Sequence, residues 1–424
     1  MRRAARPGLA VLGVTALLLG SGCSADDGGG SPQEQPSGSQ SVASSDGPGE
    51  SQDDSFTILS AGDVLPHTAV TDAAELPEGG WDFTPLMAGT QDWVSGADLA
   101  LCSMEVPLVA PGQSPSGYPL FGAPAELIEG LREIGFDGCN TANNHSFDGG
   151  IGALENTLET FDAQGMGHVG TARTAEEADA AQMYTMERDG REVTVAHLST
   201  TTLHNGSPLP VPEEPWRVTD VGPEELSAQA AQARQDGADI VVASVHWGDE
   251  YVHTPGEGEI AYAEELAAGG EVDRVFGNHS HTPQPIEELD GGPGDDGMWV
   301  VWWMGNFLSN QDVECCTMET ATGTMTMATV EAPEDGPARV SGVEWTPVTN
   351  DRDGATMYDE VFRGIWAMAD LMEDGAPIEE LPGELDAQTV QQRFDRVVEV
   401  VGEEGLRMEA PEQTWDPPRV QPRD

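Results

Sequence analysis

The chain has 424 residues, 38% of them hydrophobic, enough to bury a large core over about two domain lengths once the ends are set aside. It carries 75 acidic residues against 18 basic ones, a formal net charge of -57, and every basic residue is arginine. Such a surface excludes nucleic acid and anionic lipid as natural partners, and it repels itself unless salt screens it, which at about 1 M happens within roughly 3 Å; a saline exterior or an acidic secreted protein both fit.

In chain order, Arg2, Arg3 and Arg6 precede an apolar run, Leu9 to Leu19, and then Gly20-Ser21-Gly22-Cys23. Residues 1–22 therefore read as a lipoprotein signal peptide, with Cys23 the residue to be acylated and the mature chain anchored to the outer face of the cell membrane. Gly20 stands where leucine is usual, which leaves ordinary cleavage and release as the alternative. Residues 23–54 are Gly, Ser, Gln, Pro and Asp with hardly an apolar side chain, a composition that cannot form a core and reads as a solvated tether.

A domain follows over residues 55–347. Phe56 to Ala61 is a strand that stops at Gly62-Asp63, with His67 four residues on. Asp98 to Cys102 runs into Ser103-Met104-Glu105. Pro124 opens a helix that ends at Gly135. Phe136 to Thr141 then exits onto Ala142-Asn143-Asn144-His145, followed by a helix over Ile151 to Ala163. Arg191 to Leu198 is a strand, Pro223 to Gln235 a helix, and Asp239 to Val245 a continuous apolar strand that delivers His246-Trp247-Gly248-Asp249-Glu250. After a helix over Ile260 to Ala268, the run Asp273 to Phe276 ends in Gly277-Asn278-His279-Ser280-His281. Met298 to Met304 is a further strand, and Thr324 to Val330 and Ala338 to Trp345 alternate without intervening helices, an antiparallel extension. Residues 348–424 form a C-terminal extension with helical patterns over Tyr358 to Met372 and Thr389 to Val401 and a proline-rich end.

Strand and helix alternate, so the core is α/β. Five apolar strands each end in Asp, Glu, Asn or His, and in open α/β sheets the loops at the carboxyl ends of strands meet in a crevice. His279 and His281, two apart on extended backbone, point the same way and can converge on one metal ion or two. Paired histidines also occur as plain loop residues, Asn143 and Asn144 are frequent turn formers, and Trp247, Trp302 and Trp303 are ordinary packing residues. His168, His197, His204 and His253 read as non-ligands. Of the cysteines beyond Cys23, Cys102 and Cys139 sit on two candidate neighbouring strands and are expected as buried free thiols, while the pairing of Cys315 and Cys316 is left open.

Gly62-Asp63, Met104-Glu105, the stretch from Ala142 to Asp148, His246 to Tyr251, Gly277 to Glu287 and Gly305 to Gln311 resemble, in order and spacing, the CapA-type capsule-synthesis proteins linked to poly-γ-glutamate. That family is similar in turn to the calcineurin-like metallophosphoesterases. The resemblance implies a two-sheet α/β sandwich with metal-site loops at strand ends. It implies one or two divalent ions (manganese, zinc or iron), with Asp63, Glu105 and His281 around the first, Asn144, His246 and His279 around the second, and Glu105 shared. A bridged pair lies about 3.5–4 Å apart and activates a shared water. His145 would protonate a leaving group, and Asn143, Trp247, Glu250, Gln284 and Asn306 would line the substrate pocket. Where the metallophosphoesterases place a histidine this chain has Leu65; His67 can reach in only if its loop curls. The implied function is synthesis, export or attachment of a capsule polymer beside that machinery, with an extracytoplasmic metal-dependent hydrolase or a solute-binding lipoprotein as alternatives.

Overall fold

The computed structural model describes residues 54–205, 213–333, 335–353 and 361–423. The expected signal peptide, Cys23 and the tether up to residue 53 lie outside the described residues. The first sheet starts with β1 (Ser55–Leu65), β2 (Leu99–Met104), β3 (Gly138–Asn140) and β4 (Gly167–Val169). The chain then builds a second sheet from β5 (Gln182–Arg188), β6 (Arg191–Thr201), β7 (Ile240–His246), β8 (Arg274–Asn278), β9 (Ile286–Leu289) and β10 (Met298–Val301). It returns to the first with β11 (Asn306–Ser309), β12 (Thr322–Glu331), β13 (Arg339–Asp353) and β14 (Val361–Ala367). A two-residue pair, β15 (Met372–Glu373) and β16 (Ala376–Pro377), and a last strand, β17 (Arg419–Val420), complete the set.

Sheet order is β14-β13-β12-β1-β2-β3-β4, with β11 beside β1, in one sheet and β17-β5-β6-β7-β8-β10-β9 in the other. Strands β1 to β4 run parallel to one another, as do β6, β7 and β8, while β12 and β5 join them antiparallel, so the carboxyl ends of each parallel set open on one side. Period-two alternation makes the layers. Phe56 and Ile58 of β1, Leu99 and Leu101 of β2, and Ile240 and Val242 of β7 share one core between the sheets. The alternate residues Leu59, Ala61, Ala100 and Cys102 face an outer core. Val241, Ala243 and Val245 face another. Strands buried on both faces need a near-continuous apolar run, which is what the sequence shows here.

The helices cover those outer faces. On the first sheet α1 (Thr68–Ala74), α2 (Thr84–Met87), α3 (Gln91–Ser95) and α4 (Glu126–Ile134) contribute Val70, Met87, Val94, Leu127 and Leu131. Helix α5 (Gly150–Gln164) buries Leu154, Leu158 and Phe161, the stripe its spacing predicts, and ends at Gly165 in the left-handed conformation. After α6 (Ala175–Asp179), helices α7 (Pro223–Gln235) and α8 (Glu257–Gly269) cover the second sheet with Leu226, Ala230, Ala263 and Leu266. Helix α9 (Ala387–Val401) starts on Asp386, whose carboxylate accepts from Gln388 and Thr389 N–H.

Two expectations are corrected. The helical pattern from Tyr358 falls partly outside the described residues, and from Val361 it is strand β14, paired antiparallel with β13. Phe362, Ile365 and Ala367 enter the outer core from that strand, and the open edge of β13 supplies backbone partners that outweigh a weak helical period. Cys102 and Cys139 are opposite residues on the paired strands β2 and β3, both fully buried, and are joined as a disulfide, not left as free thiols. Cys315 and Cys316 are likewise joined. Among the described residues no helix is long and apolar enough to cross a membrane.

Candidate metal centre

Four strands, two from each sheet, supply the cluster. Asp63 lies in β1 at a break in register with β11, its N–H donating to Gly305 O at 2.9 Å, and such irregularities re-aim side chains. Gly62 is required there, because a Cβ would sit 2.0 Å from Gly305 O. Glu105 follows β2, His246 ends β7, and His279 and His281 follow β8. Both histidines hold positive φ, +110° at His279 and +60° at His281, a conformation side-chain-bearing residues rarely adopt. All five are buried.

Glu105 is the centre of this arrangement. Its Oε1 lies 3.7 Å from His246 Nε2 and its Oε2 lies 3.7 Å from His281 Nδ1, yet neither oxygen has a hydrogen-bond partner. His281 Nδ1 is also 3.2 Å from Asp63 Oδ2 and 3.1 Å from Asn306 Oδ1. His246 Nε2 lies 2.8 Å from Asn144 Oδ1. His279 stacks at 4.8 Å from His246, and its Nδ1 is buried without a partner. Glu105, His279 and His281 each offer a ligand atom, all within 4.8 Å of one another.

The protonation states follow from burial. Desolvation first, and then His281, hold His279 down at about 3; the same burial, with His279 next, keeps His246 well below the ordinary imidazole range. Burial works the same way on His281, but Glu105 and Asp63 overcome it and push it up to about 9. Glu105 is raised, first by burial and against the pull of His281. Two neutral imidazoles, His246 and His279, next to a carboxylate with two unclaimed oxygens are a donor set that zinc, manganese or iron takes, and His281, held protonated by Glu105 and Asp63, gives up that proton when it ligates. The residues present therefore fit a divalent ion: Glu105, His279 and His281 can hold one, with His246, Asn144 and Asp63 against the same carboxylate or its neighbours.

His145 stands to one side of this cluster. Its Nδ1 is 2.7 Å from Asp148 Oδ2, an oxygen that also accepts the Phe121 N–H at 2.8 Å, and Phe121 packs edge-on at 4.8 Å. Its Nε2 faces Asn205 Nδ2 at 3.5 Å, and Asn205 in turn accepts from Asn144 Nδ2 at 2.9 Å. Asn143 is buried beneath, donating to Met104 O and accepting the His145 N–H. Asn143, Asn144, His145, Asp148 and Asn205, together with Glu250, line a cavity of about 770 Å³.

Other expected pocket residues are placed elsewhere. Trp247 is 2% exposed and packs with Trp302 and Tyr262 in the outer core of the second sheet, because the last apolar positions of β7 continue into that layer. Gln284 is buried and donates to Val252 O, fastening a loop. Asn306 donates to Gln311 and Thr320 O and turns its oxygen to His281, so it orients that ring instead of lining the cavity. His67 accepts the Asn310 N–H at 3.4 Å and lies 3.0 Å from Leu65 O; burial, then His281, hold it at about 3. Leu65 itself is in the outer core. His168, His197, His204 and His253 pair with Asp162, Ser244, Asp220 and Glu319 respectively. Sequence reasoning assigned no part to Asp148 or Asn205. Asp148 stands three residues after His145, a spacing that signals a partner, whereas Asn205 is 60 residues away in sequence and gives no such signal.

The sequence matches the family described as bacterial capsule synthesis protein PGA_cap over residues 57–311, more than half of the chain. The chain belongs to that family. It is 28% identical over 186 residues to the PGA biosynthesis protein CapA of Bacillus subtilis, covering 44% of this chain and 46% of that one. It is 27% identical over 192 residues to the capsule biosynthesis protein CapA of Bacillus anthracis, covering 45% and 44%. A probable polyglutamine synthesis accessory protein of Mycobacterium tuberculosis is 25% identical over 206 residues, covering 47% and 54%. The chain thus spans about half the length of the curated relatives it matches. Among solved structures, the calcineurin-like phosphoesterase YfkN from Bacillus subtilis gives a TM-score of 0.40 at 14% identity, covering 81% of this chain and 97% of that one. The NAD nucleotidase NadN of Haemophilus influenzae gives 0.41 at 12%, covering 84% and 57%. At these scores neither likeness bears on the chemistry.

Proposed function

We propose that this PGA_cap protein is an extracytoplasmic accessory of capsule-polymer synthesis, export or attachment, anchored through Cys23, and that it acts through a divalent-metal site at Glu105, His279 and His281. The names of its relatives support the polymer role, and the signal-like N-terminus supports the location. The observation that carries the site is Glu105: two buried carboxylate oxygens without partners, ringed by histidines, are costly in a folded protein unless a ligand takes them.

A bound divalent ion would supply Lewis-acid polarisation of a phosphoryl or carbonyl oxygen and an acidified water. The chain's own residues do the rest. Asp148 fixes the His145 ring by its Nδ1, which leaves Nε2 at the cavity as the atom that gives or takes a proton. Asn143 and Phe121 hold the His145 backbone and ring. Asn144 and Asn205 present amides at the cavity wall, and Asn306 keeps His281 turned toward Asp63 and Glu105. This His145–Asp148 pair favours a metal-dependent hydrolase as the second reading, because a protein that only bound polymer would have no use for an oriented proton carrier.

The test uses the full chain. In a host deleted for it, cell-associated polymer should fall and be restored by wild type but not by Glu105→Gln. Restoration by Glu105→Gln would overturn the metal-site account, and unchanged polymer in the deletion would overturn the capsule role. Turnover of bis-p-nitrophenyl phosphate, lost in His145→Ala with metal retained, separates the hydrolase reading.

A further inference from the structure

The cavity beside His145 has a charge inventory that does not match a polyanion. Its ionisable lining comes from histidines, Tyr118 and the carboxylates of Asp148 and Glu250; among the described residues no arginine lines it, and the chain has no lysine. Its outer wall is apolar: Tyr118 and Leu120 are 65% and 60% exposed, among the largest apolar exposures of the described residues. That wall is fixed in place. Ser116 Oγ donates to Leu120 O at 2.9 Å, and the neighbouring Phe121 N–H is held by Asp148 Oδ2 at 2.8 Å, so the segment carrying Leu120 is tied to the same carboxylate that orients His145, and the Tyr118 ring lies edge-on to Phe121 at 6.4 Å. The amides of Asn144 and Asn205, joined to each other at 2.9 Å, line the same cavity.

We infer that this cavity binds an uncharged, hydroxyl-rich oligosaccharide segment, with one sugar face against Tyr118 and Leu120 and its hydroxyls on Asn144, Asn205 and Glu250. A volume of about 770 Å³ admits a few sugar rings, and an exposed aromatic ring beside amides and a carboxylate is a surface for a flat molecule with an apolar face and a polar edge. A γ-glutamyl chain would instead bring a carboxylate per residue to a wall that already carries Asp148 and Glu250. Each such like-charge pair is repulsive, the more so where water is partly excluded. The inference deepens the proposed function by naming what lies next to the metal site, and it rests on that reading for the site's chemistry but not for binding.

The experiment is calorimetric titration of the full chain with the tetramer of N-acetylglucosamine and with tetra-γ-glutamate, at 0.15 M salt, with manganese and again with EDTA. The sugar should bind in both, tetra-γ-glutamate should not, and Tyr118→Ala should weaken the sugar at least ten-fold while metal content stays that of wild type. Tighter binding of tetra-γ-glutamate than of the sugar, no binding of the sugar, or a Tyr118→Ala variant as tight as wild type overturns the inference. Sugar binding by protein that takes up no manganese would instead strike the metal-site reading and leave this one standing.

Discussion

Removing metal from the purified chain should cost stability by an amount the cluster itself sets. Glu105 Oε1, Glu105 Oε2 and His279 Nδ1 are buried without a partner, and each such atom costs about 1–3 kcal/mol, more when charged. An ion that claims all three therefore returns roughly 3 kcal/mol at the low end, close to the 2.7 kcal/mol that any ligand confers at about 100 times its dissociation constant. With an unfolding entropy near 2.1 cal/mol/K per residue, a domain of this length should lose about 4 °C in Tm for that 3 kcal/mol. The assay is thermal unfolding before and after EDTA, with manganese, zinc or iron added back, next to elemental analysis of protein purified without chelator. Glu105→Gln should show little of the metal-dependent shift. The reasoning is refuted if untreated protein holds well under about one ion per chain and EDTA leaves its Tm unmoved.

Three further outcomes follow from other parts of the fold. Burial raises Asp137 to about 7 although it accepts the Ala100 N–H, so the folded chain holds a proton there that the unfolded chain releases above about 4. Stability from this group is whole below about pH 4 and lost as pH climbs to about 7. Asp137→Asn should therefore gain roughly up to 4 kcal/mol at pH 8 and much less at pH 5 in urea unfolding, and an equal gain at both would contradict the account. Gly277→Ala would place a Cβ 1.8 Å from Trp302 O at the end of β8 and should lose bound metal, whereas Gly258→Ala, open to solvent in α8, should gain about 0.5–1 kcal/mol by denaturant melt. Trp415→Ala should cost about 3–5 kcal/mol, since the ring is buried edge-on to Phe56 and its Nε1 donates to Ser55 O; a loss under about 1 kcal/mol would show that the C-terminal segment is not part of the core.

Much of this architecture was legible because its strands are buried on both faces. Runs such as Ile240–His246 have one reading only, and their polar exits mark the open side of a parallel sheet. The short strands β4 and β9 were lost because three or four residues carry too little period to register. Strand β14 was misread for a related reason: Val361, Phe362, Ile365 and Trp366 fit a helix as well as a strand until the edge of β13 decides between them. In the cluster, side chains at strand exits came together as the sheet topology requires. What escaped was orientation. Trp247 and Gln284 sit in the right stretches but turn into core and loop, and Asn205 arrives from a distant loop; such placements depend on packing across elements, which a linear pattern does not contain.

The backbone at His279 and His281 adds an argument that composition could not. Each residue holds a positive φ that costs of order 1–3 kcal/mol and persists only where its surroundings impose it. Their surroundings do so: β8 ends at Asn278 in register with His246, Gly277 is pressed against Trp302 O, and the His279 N–H points at Asp63 Oδ2 at 3.3 Å. The result is two imidazoles turned back on one carboxylate whose oxygens nothing else claims. Relaxing the turn would relieve the backbone and free Glu105 toward solvent, so protein–protein contacts alone give the chain little reason to keep it. A cation held by those side chains would supply that reason, accounting together for the strain and the unpartnered carboxylate beside imidazoles that burial already keeps neutral.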